Sequence, residues 1–131
     1  MTRHLRVLFI ALALFGLAAC TSKPLLQPEA KLPADREYSQ EQLQQAIVNA
    51  LEARHWQVQR VEPTQVLALI DVRQHHRAWV GIDYSPSGFR IRYRDSLGLD
   101  YEDGEIHRNY NRWVNNLRAE ILYQLNLPKN P

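Results

Sequence analysis

The chain has 131 residues, with 16 Lys and Arg against 14 Asp and Glu, and a single cysteine. Near-balanced charge argues against a basic nucleic-acid surface, and one thiol excludes an internal disulfide or a multi-cysteine metal centre. The length suits one domain able to bury a core of its own.

The first element is an apolar run from Val7 to Leu17, behind Arg3 and Arg6 and ahead of Ala18, Ala19 and Cys20. A basic start, an apolar middle and small residues at the exit make a secretory signal peptide over residues 1–19. The run falls short of the ~18 apolar residues that a membrane-crossing helix needs. Leu17-Ala18-Ala19-Cys20 resembles the lipobox of bacterial lipoproteins, and polar Thr21, Ser22 and Lys23 follow it. The resemblance implies that Cys20 is lipidated, with chains such as palmitate, and becomes the mature N-terminus. At ~0.8 kcal/mol per buried CH₂, two or more acyl chains give stable anchoring. In such lipoproteins an Asp after the cysteine often signals retention in the inner membrane. Thr21 therefore favours the periplasmic side of the outer membrane over the inner one. A plain secreted chain, cleaved near Ala19 and left soluble, is the alternative.

Removing residues 1–19 leaves 112 residues and takes Arg3 and Arg6 away, so 14 basic side chains face 14 acidic ones. The mature chain gives no reason to expect a nucleic-acid partner. Lysine occurs only as Lys23, Lys31 and Lys129, near the ends, and every basic residue from Arg36 to Arg118 is Arg. Arg makes planar bidentate contacts and stacks on rings. Two readings follow: a surface that holds anionic or aromatic groups, or a GC-rich genome that encodes Arg readily.

Residues 20–37 form the lipidated cysteine and a tether. Pro24, Pro28 and Pro33 break a polar segment without periodicity, which argues against a helix or a central strand. As a flexible coil, residues 21–37 span ~20–25 Å on average. Alternatively Leu25, Leu26 and Leu32 lie on the domain and shorten that reach.

The domain covers residues 38–127, with a tail over 128–131. Ser39 and Gln42 have capping-box spacing. Leu43, Ala46, Ile47, Ala50 and Leu51 then form one apolar stripe, which predicts a helix ending near Arg54. Period-two alternation follows through Trp56 and Val58, Val66 to Val72, Ala78 to Tyr84, and Phe89 to Tyr93. Short turns at Pro63-Thr64, Gln74-His75-His76 and Ser85-Pro86-Ser87-Gly88 separate the runs, which predicts a four-stranded antiparallel meander. Loop lengths set the register. They pair Tyr84 with Phe89, Ile82 with Ile91, Val80 with Tyr93, Val72 with Ala78, Ile70 with Val80, Val58 with Ala68 and Trp56 with Ile70. A second helix is expected over about Glu105 to Leu125, with Asp103 as N-cap and the stripe Ile106, Tyr110, Trp113, Val114, Leu117, Ile121 and Leu125. Both helices are expected on the sheet's apolar face, giving a two-layer α+β fold in the order α-β-β-β-β-α.

The same register assigns the sheet's other face. It sets Trp79 between Asp71 and Arg94, Gly81 between Leu69 and Arg92, and Asp83 between Leu67 and Arg90. Arg94 over Trp79 makes a candidate cation–π pair and Asp83–Arg90 a candidate ion pair. Trp79, Asp83, Arg90, Arg92 and Arg94 thus form a candidate binding face for an envelope protein, or for an anionic glycan or lipopolysaccharide. A solvated face whose charges block edge-to-edge aggregation is the alternative.

No metal or cofactor is expected. Adjacent His75 and His76 in a strand turn point apart, and no ligand spacing accompanies His55 or His107. Ser96, Asp100 and His107 are the residues a small periplasmic hydrolase using loop 95–107 would draw on. No nucleophile-elbow motif surrounds Ser96, and no residue is assigned as catalytic.

Ile91-Arg92-Tyr93, Ser96, Leu99, Tyr101 and the run Ile106-His107-Arg108-Asn109-Tyr110-Asn111-Arg112-Trp113-Val114, with Leu117 beyond, resemble a group of small proteobacterial lipoproteins of unassigned activity. Their closing helix reads IHxNYNxWVxxL, and the resemblance covers nearly all of residues 39–125. In that group Asn often precedes the loop Leu, where this chain has Gly98. The resemblance implies a lipid-anchored envelope protein and carries no catalytic residue. Tyr110 and Trp113 read as core, and His107 and Asn111 as braces for the backbone of loop 95–105. The expected function is a non-enzymatic binding or structural module, with the hydrolase as alternative.

Overall fold

The computed structural model describes residues 21–129; the expected signal peptide over 1–19 and Cys20 lie outside the described residues. Nine elements follow in order: β1 (Ser22–Pro24), β2 (Glu29–Lys31), α1 (Gln40–Ala53), β3 (Gln57–Val61), β4 (Gln65–Val72), β5 (His76–Ser85), β6 (Gly88–Leu97), β7 (Glu105–His107) and α2 (Arg108–Gln124). The mixed α+β class holds. The expected four strands become a five-stranded antiparallel sheet, ordered β2-β6-β5-β4-β3, plus a two-stranded ribbon of β1 and β7.

Local chemistry accounts for α1. Ser39 Oγ accepts from the Gln42 amide while Gln42 Oε1 accepts from the Ser39 amide, so two orphan donors are met at once. At the other end Trp56 N donates to Leu51 O and His55 N to Glu52 O, with His55 at φ 64°. That is a Schellman motif, and it turns Trp56 into the core. The five expected stripe residues are all buried. Helix α2 ends the same way around Asn126, φ 56°, with Leu127 N donating to Leu122 O. Both helices and the inward sheet residues share one apolar core, which also takes in Ala30, Leu32, Leu99 and Ile106.

Helix α2 starts later than expected, because Glu105–His107 pairs with Ser22–Pro24 as a strand. Asp103 is not the N-cap. With Gly104 it turns a tight hairpin, both residues at positive φ (50° and 76°), and Glu102 and Glu105 exchange backbone hydrogen bonds. His107 caps the helix instead, its Nδ1 accepting from the Asn109 amide.

The coil expected over 21–37 is replaced in part by β1 and β2. Ala30 and Leu32 are buried and Leu25 packs on the core, while Leu26 stays exposed. Strand β2 is a three-residue edge that Gly88 admits: a Cβ there would lie 2.4 Å from Ala30 O.

The β5–β6 pairs Tyr84–Phe89, Ile82–Ile91 and Val80–Tyr93 stand as expected, as does Val58–Ala68. The β4–β5 hairpin does not. It pairs Val72 with His76 and Ile70 with Ala78, two residues from the expected register, so every side chain keeps its face. Asp71 explains the shift. It accepts from the Gln74 amide at 3.0 Å and pairs with Arg77, closing the turn one residue early with Arg73 and Gln74 at positive φ.

Candidate functional site

The outer sheet face lies opposite the helices. Its centre is Trp79, half-buried, with Leu69 beside it on β4 and Asp95 opposite on β6. Asp95 stands where Arg94 was expected. A bulge between Trp79 and Val80 gives β6 an extra residue, so the expected pairing of Trp79 with Arg94 and Asp71 is corrected. Arg94 runs across Gly81 instead: its Cδ would lie 3.4 Å from a Cβ at that glycine. Among the described residues the one cation–π contact is Lys129 over Tyr123, not Arg94 over Trp79.

Asp83 also takes a different partner. Arg90 stands opposite it in the ladder, yet the ion pair is made diagonally by Arg92. Arg92 Nε donates to Asp83 Oδ2 and Nη2 to Oδ1 at 3.1 Å, while Gln65 Nε2 donates to Oδ1 at 3.2 Å. The hydrogen bond that Arg92 donates to Asp83 raises the Arg92 pKa further, against desolvation, which lowers it. Both side chains are over a third exposed, so this pair fixes geometry more than it stabilises. Arg90 and Arg94 are exposed and form no ion pair among the described residues. The face therefore has an apolar floor of Leu67, Leu69 and Trp79, one arginine pinned and two presented.

Loop 95–107 resolves differently. Ser96 Oγ bonds Tyr93 OH at 2.9 Å, and His107 Nδ1 is occupied by the Asn109 amide. Asp100 is exposed at φ 52°. The hydrogen bonds of Ser96 and His107 lead elsewhere, and among the described residues none joins Ser96, Asp100 and His107. A cleft of about 710 Å³ is lined by Leu32, Pro33, Arg36, Glu37 and Tyr38 among others, and includes none of the three. Among the described residues no three His, Cys, Asp or Glu side chains gather as a metal group.

Asn111 braces the chain, but not at loop 95–105. It is buried, and its Nδ2 donates to Pro24 O at 2.9 Å while its Oδ1 accepts from the Leu26 amide at 3.0 Å. His107 touches the expected loop through its backbone, its amide donating to Leu99 O at 2.8 Å. His76 is the brace that sequence reasoning missed: its Nδ1 bonds Gly98 O at 2.8 Å and its ring stacks near His107. Gly98 sits at φ 70°, and a Cβ there would lie 2.0 Å from His75 O, so this position admits no side chain. Gln65 was missed as well, though alternation already set it on the Asp83 side of the sheet.

Tyr93 lies between Tyr101, stacked at 4.5 Å, and Tyr110, edge-on at 5.7 Å. Burial raises the Tyr93 phenol pKa, and its hydrogen bond with Ser96 opposes that shift. Comparison with family models, with curated proteins and with solved structures gives no match to this chain. No described helix is long and apolar enough to cross a membrane.

Proposed function

We propose that the chain is a lipid-anchored envelope protein, held through Cys20 on the periplasmic side of the outer membrane, and that it acts by binding, without catalysis. The leader and lipobox support the address. The outer sheet face supports the action. Trp79 lies with Leu67 and Leu69 on a face that no described helix covers, and Arg94 and, further along β6, Arg90 form no ion pair among the described residues. Aromatic and arginine side chains of this kind are enriched at interfaces. An aromatic plane beside free guanidinium groups suits an anionic envelope glycan or an acidic protein surface. The early resemblance to small proteobacterial lipoproteins fits the same reading.

The test is in-cell photo-crosslinking from position 79, compared with the same crosslinker in the variant Arg90→Ala/Arg94→Ala. A discrete adduct that disappears in the variant, at unchanged stability, supports the face as a binding site. Protease treatment of the adduct tells protein from glycan. No adduct from position 79 leaves a solvated sheet face and overturns the proposal.

A further inference from the structure

The chain that follows the attachment point is built into the body rather than strung from it. The Arg108 amide donates to Thr21 O at 2.8 Å, one residue from Cys20. Ser22–Pro24 runs along β7, and the Leu25 amide donates to Gly104 O at 2.9 Å. Asn111 then holds Pro24 O and the Leu26 amide together. A single peptide unit, ~3.8 Å between Cα atoms, separates Cys20 from a fixed residue. Resting on the reading that Cys20 is acylated, we propose that the domain lies directly on the bilayer, with the end around Thr21 contacting anionic phospholipid headgroups.

Hydrogen bonds show which residues share that end. His107 N donates to Leu99 O, the Gly98 carbonyl meets the His76 ring, and the Gly98 Cα side backs onto His75 O. The β4–β5 turn, the end of β6 and the start of α2 therefore converge beside Thr21. They bring together exposed Arg73, His75 and Arg108, with Arg112 one helical turn further on. Leu97, 55% exposed, is the apolar residue of this end. Asp71 is already engaged by Arg77 and the Gln74 amide, whereas Arg73, Arg108 and Arg112 form no ion pair among the described residues. Glu102, Asp103 and Glu105 lie towards the other end of β1, where Leu25 meets Gly104, and leave Asp95 and Asp100 as nearby carboxylates. Each arginine near an anionic surface strengthens attraction about fivefold. The acyl chains supply the affinity, and this end supplies the orientation. Strand β6, which runs from Gly88 to Leu97, then points its Leu97 end at the lipid, with Trp79 nearer the bilayer than Arg90.

The experiment uses the mature chain with acyl mass on residue 20 verified, in vesicles of phosphatidylethanolamine with or without phosphatidylglycerol. Acylation blocks the native thiol, so Leu97→Cys takes an environment-sensitive fluorophore selectively. Val61→Cys is the control, since Val61 is 46% exposed and lies beside the turn at the opposite end of the sheet. The expected result is a blue shift at 97 and none at 61, reduced without phosphatidylglycerol and in Arg73→Gln/Arg108→Gln/Arg112→Gln. Equal emission from both positions on an acylated chain overturns this placement and leaves the anchor intact. Absence of acyl mass overturns both readings. Hydrogen exchange gives a readout independent of lipid contact: the amides of Leu25, Leu26 and Arg108 exchange slowly, and fast exchange there would refute the rigid link.

Discussion

Two adjacent buried residues show opposite uses of a polar group. Asn111 spends both ends of its amide on the backbone of Pro24 and Leu26. Asn111→Ala removes two part-buried hydrogen bonds to the backbone, and is expected to cost about 1–3 kcal/mol in denaturant unfolding, at about 0.5–1.5 for each bond. Tyr110 is fully buried, and its hydroxyl has no hydrogen-bond partner among the described residues. Tyr110→Phe is therefore expected to change stability by less than about 1 kcal/mol at neutral pH. The variant separates from the parent at high pH. Burial, with a smaller contribution from Tyr93, holds the Tyr110 phenol well above its usual range. The unfolded chain loses that proton near pH ~10 while the folded chain keeps it. Stability is then unaffected below pH ~10 and falls above it, by up to ~1.4 kcal/mol per pH unit. Unfolding curves taken from pH 9 to pH 11 (roughly one unit either side of that value) are expected to show a shallower decline for Tyr110→Phe. Parallel declines would mean that this phenol ionises in the fold.

At the scale of elements, what was legible is what is local. Helix α1 could be read in full, since Ser39, Gln42 and the stripe from Leu43 to Leu51 lie within one short stretch. Ser39→Ala is expected to cost about 1 kcal/mol, and the loss shows as a lower thermal midpoint with an unchanged core. The strands were legible by alternation, but their ends were not. Asp103-Gly104 carries a hairpin signal, yet the acidic run around it also reads as a helix start. Strand β7 decides between the two, and it exists only because Ser22–Pro24 arrives from more than 80 residues away. Strands β1 and β2 are three residues each, set among prolines, with no period to detect. Of the candidate face, alternation correctly grouped Trp79, Asp83 and Arg92. The contacts within it were not legible: a bulge at Arg94, which no local pattern announces, sets Asp95 opposite Trp79, and Asp83 takes the diagonal Arg92 although Arg90 stands opposite it as expected.

For the whole molecule, the segment from Ser22 to Leu32 closes the fold. Ala30 and Leu32 complete the core, the Leu32 amide donates to Ser87 O, and Arg118 Nε donates to Glu29 O. This segment also links Thr21 to the sheet edge, so under the proposed anchoring at Cys20 attachment and folding would share the same residues. A chain lacking residues 21–32 tests that union. Losing a buried leucine costs about 2–5 kcal/mol, and each hydrogen bond that Asn111 makes to the segment adds about 0.5–1.5. Domains of this size hold only about 5–15 kcal/mol in all. The truncated chain is expected to lose at least about 3 kcal/mol, or roughly 10–20 °C in thermal midpoint. Calorimetry on the two soluble forms, one from Thr21 and one from Pro33, measures it. A midpoint that stays put would mean that the segment is merely laid on a finished domain.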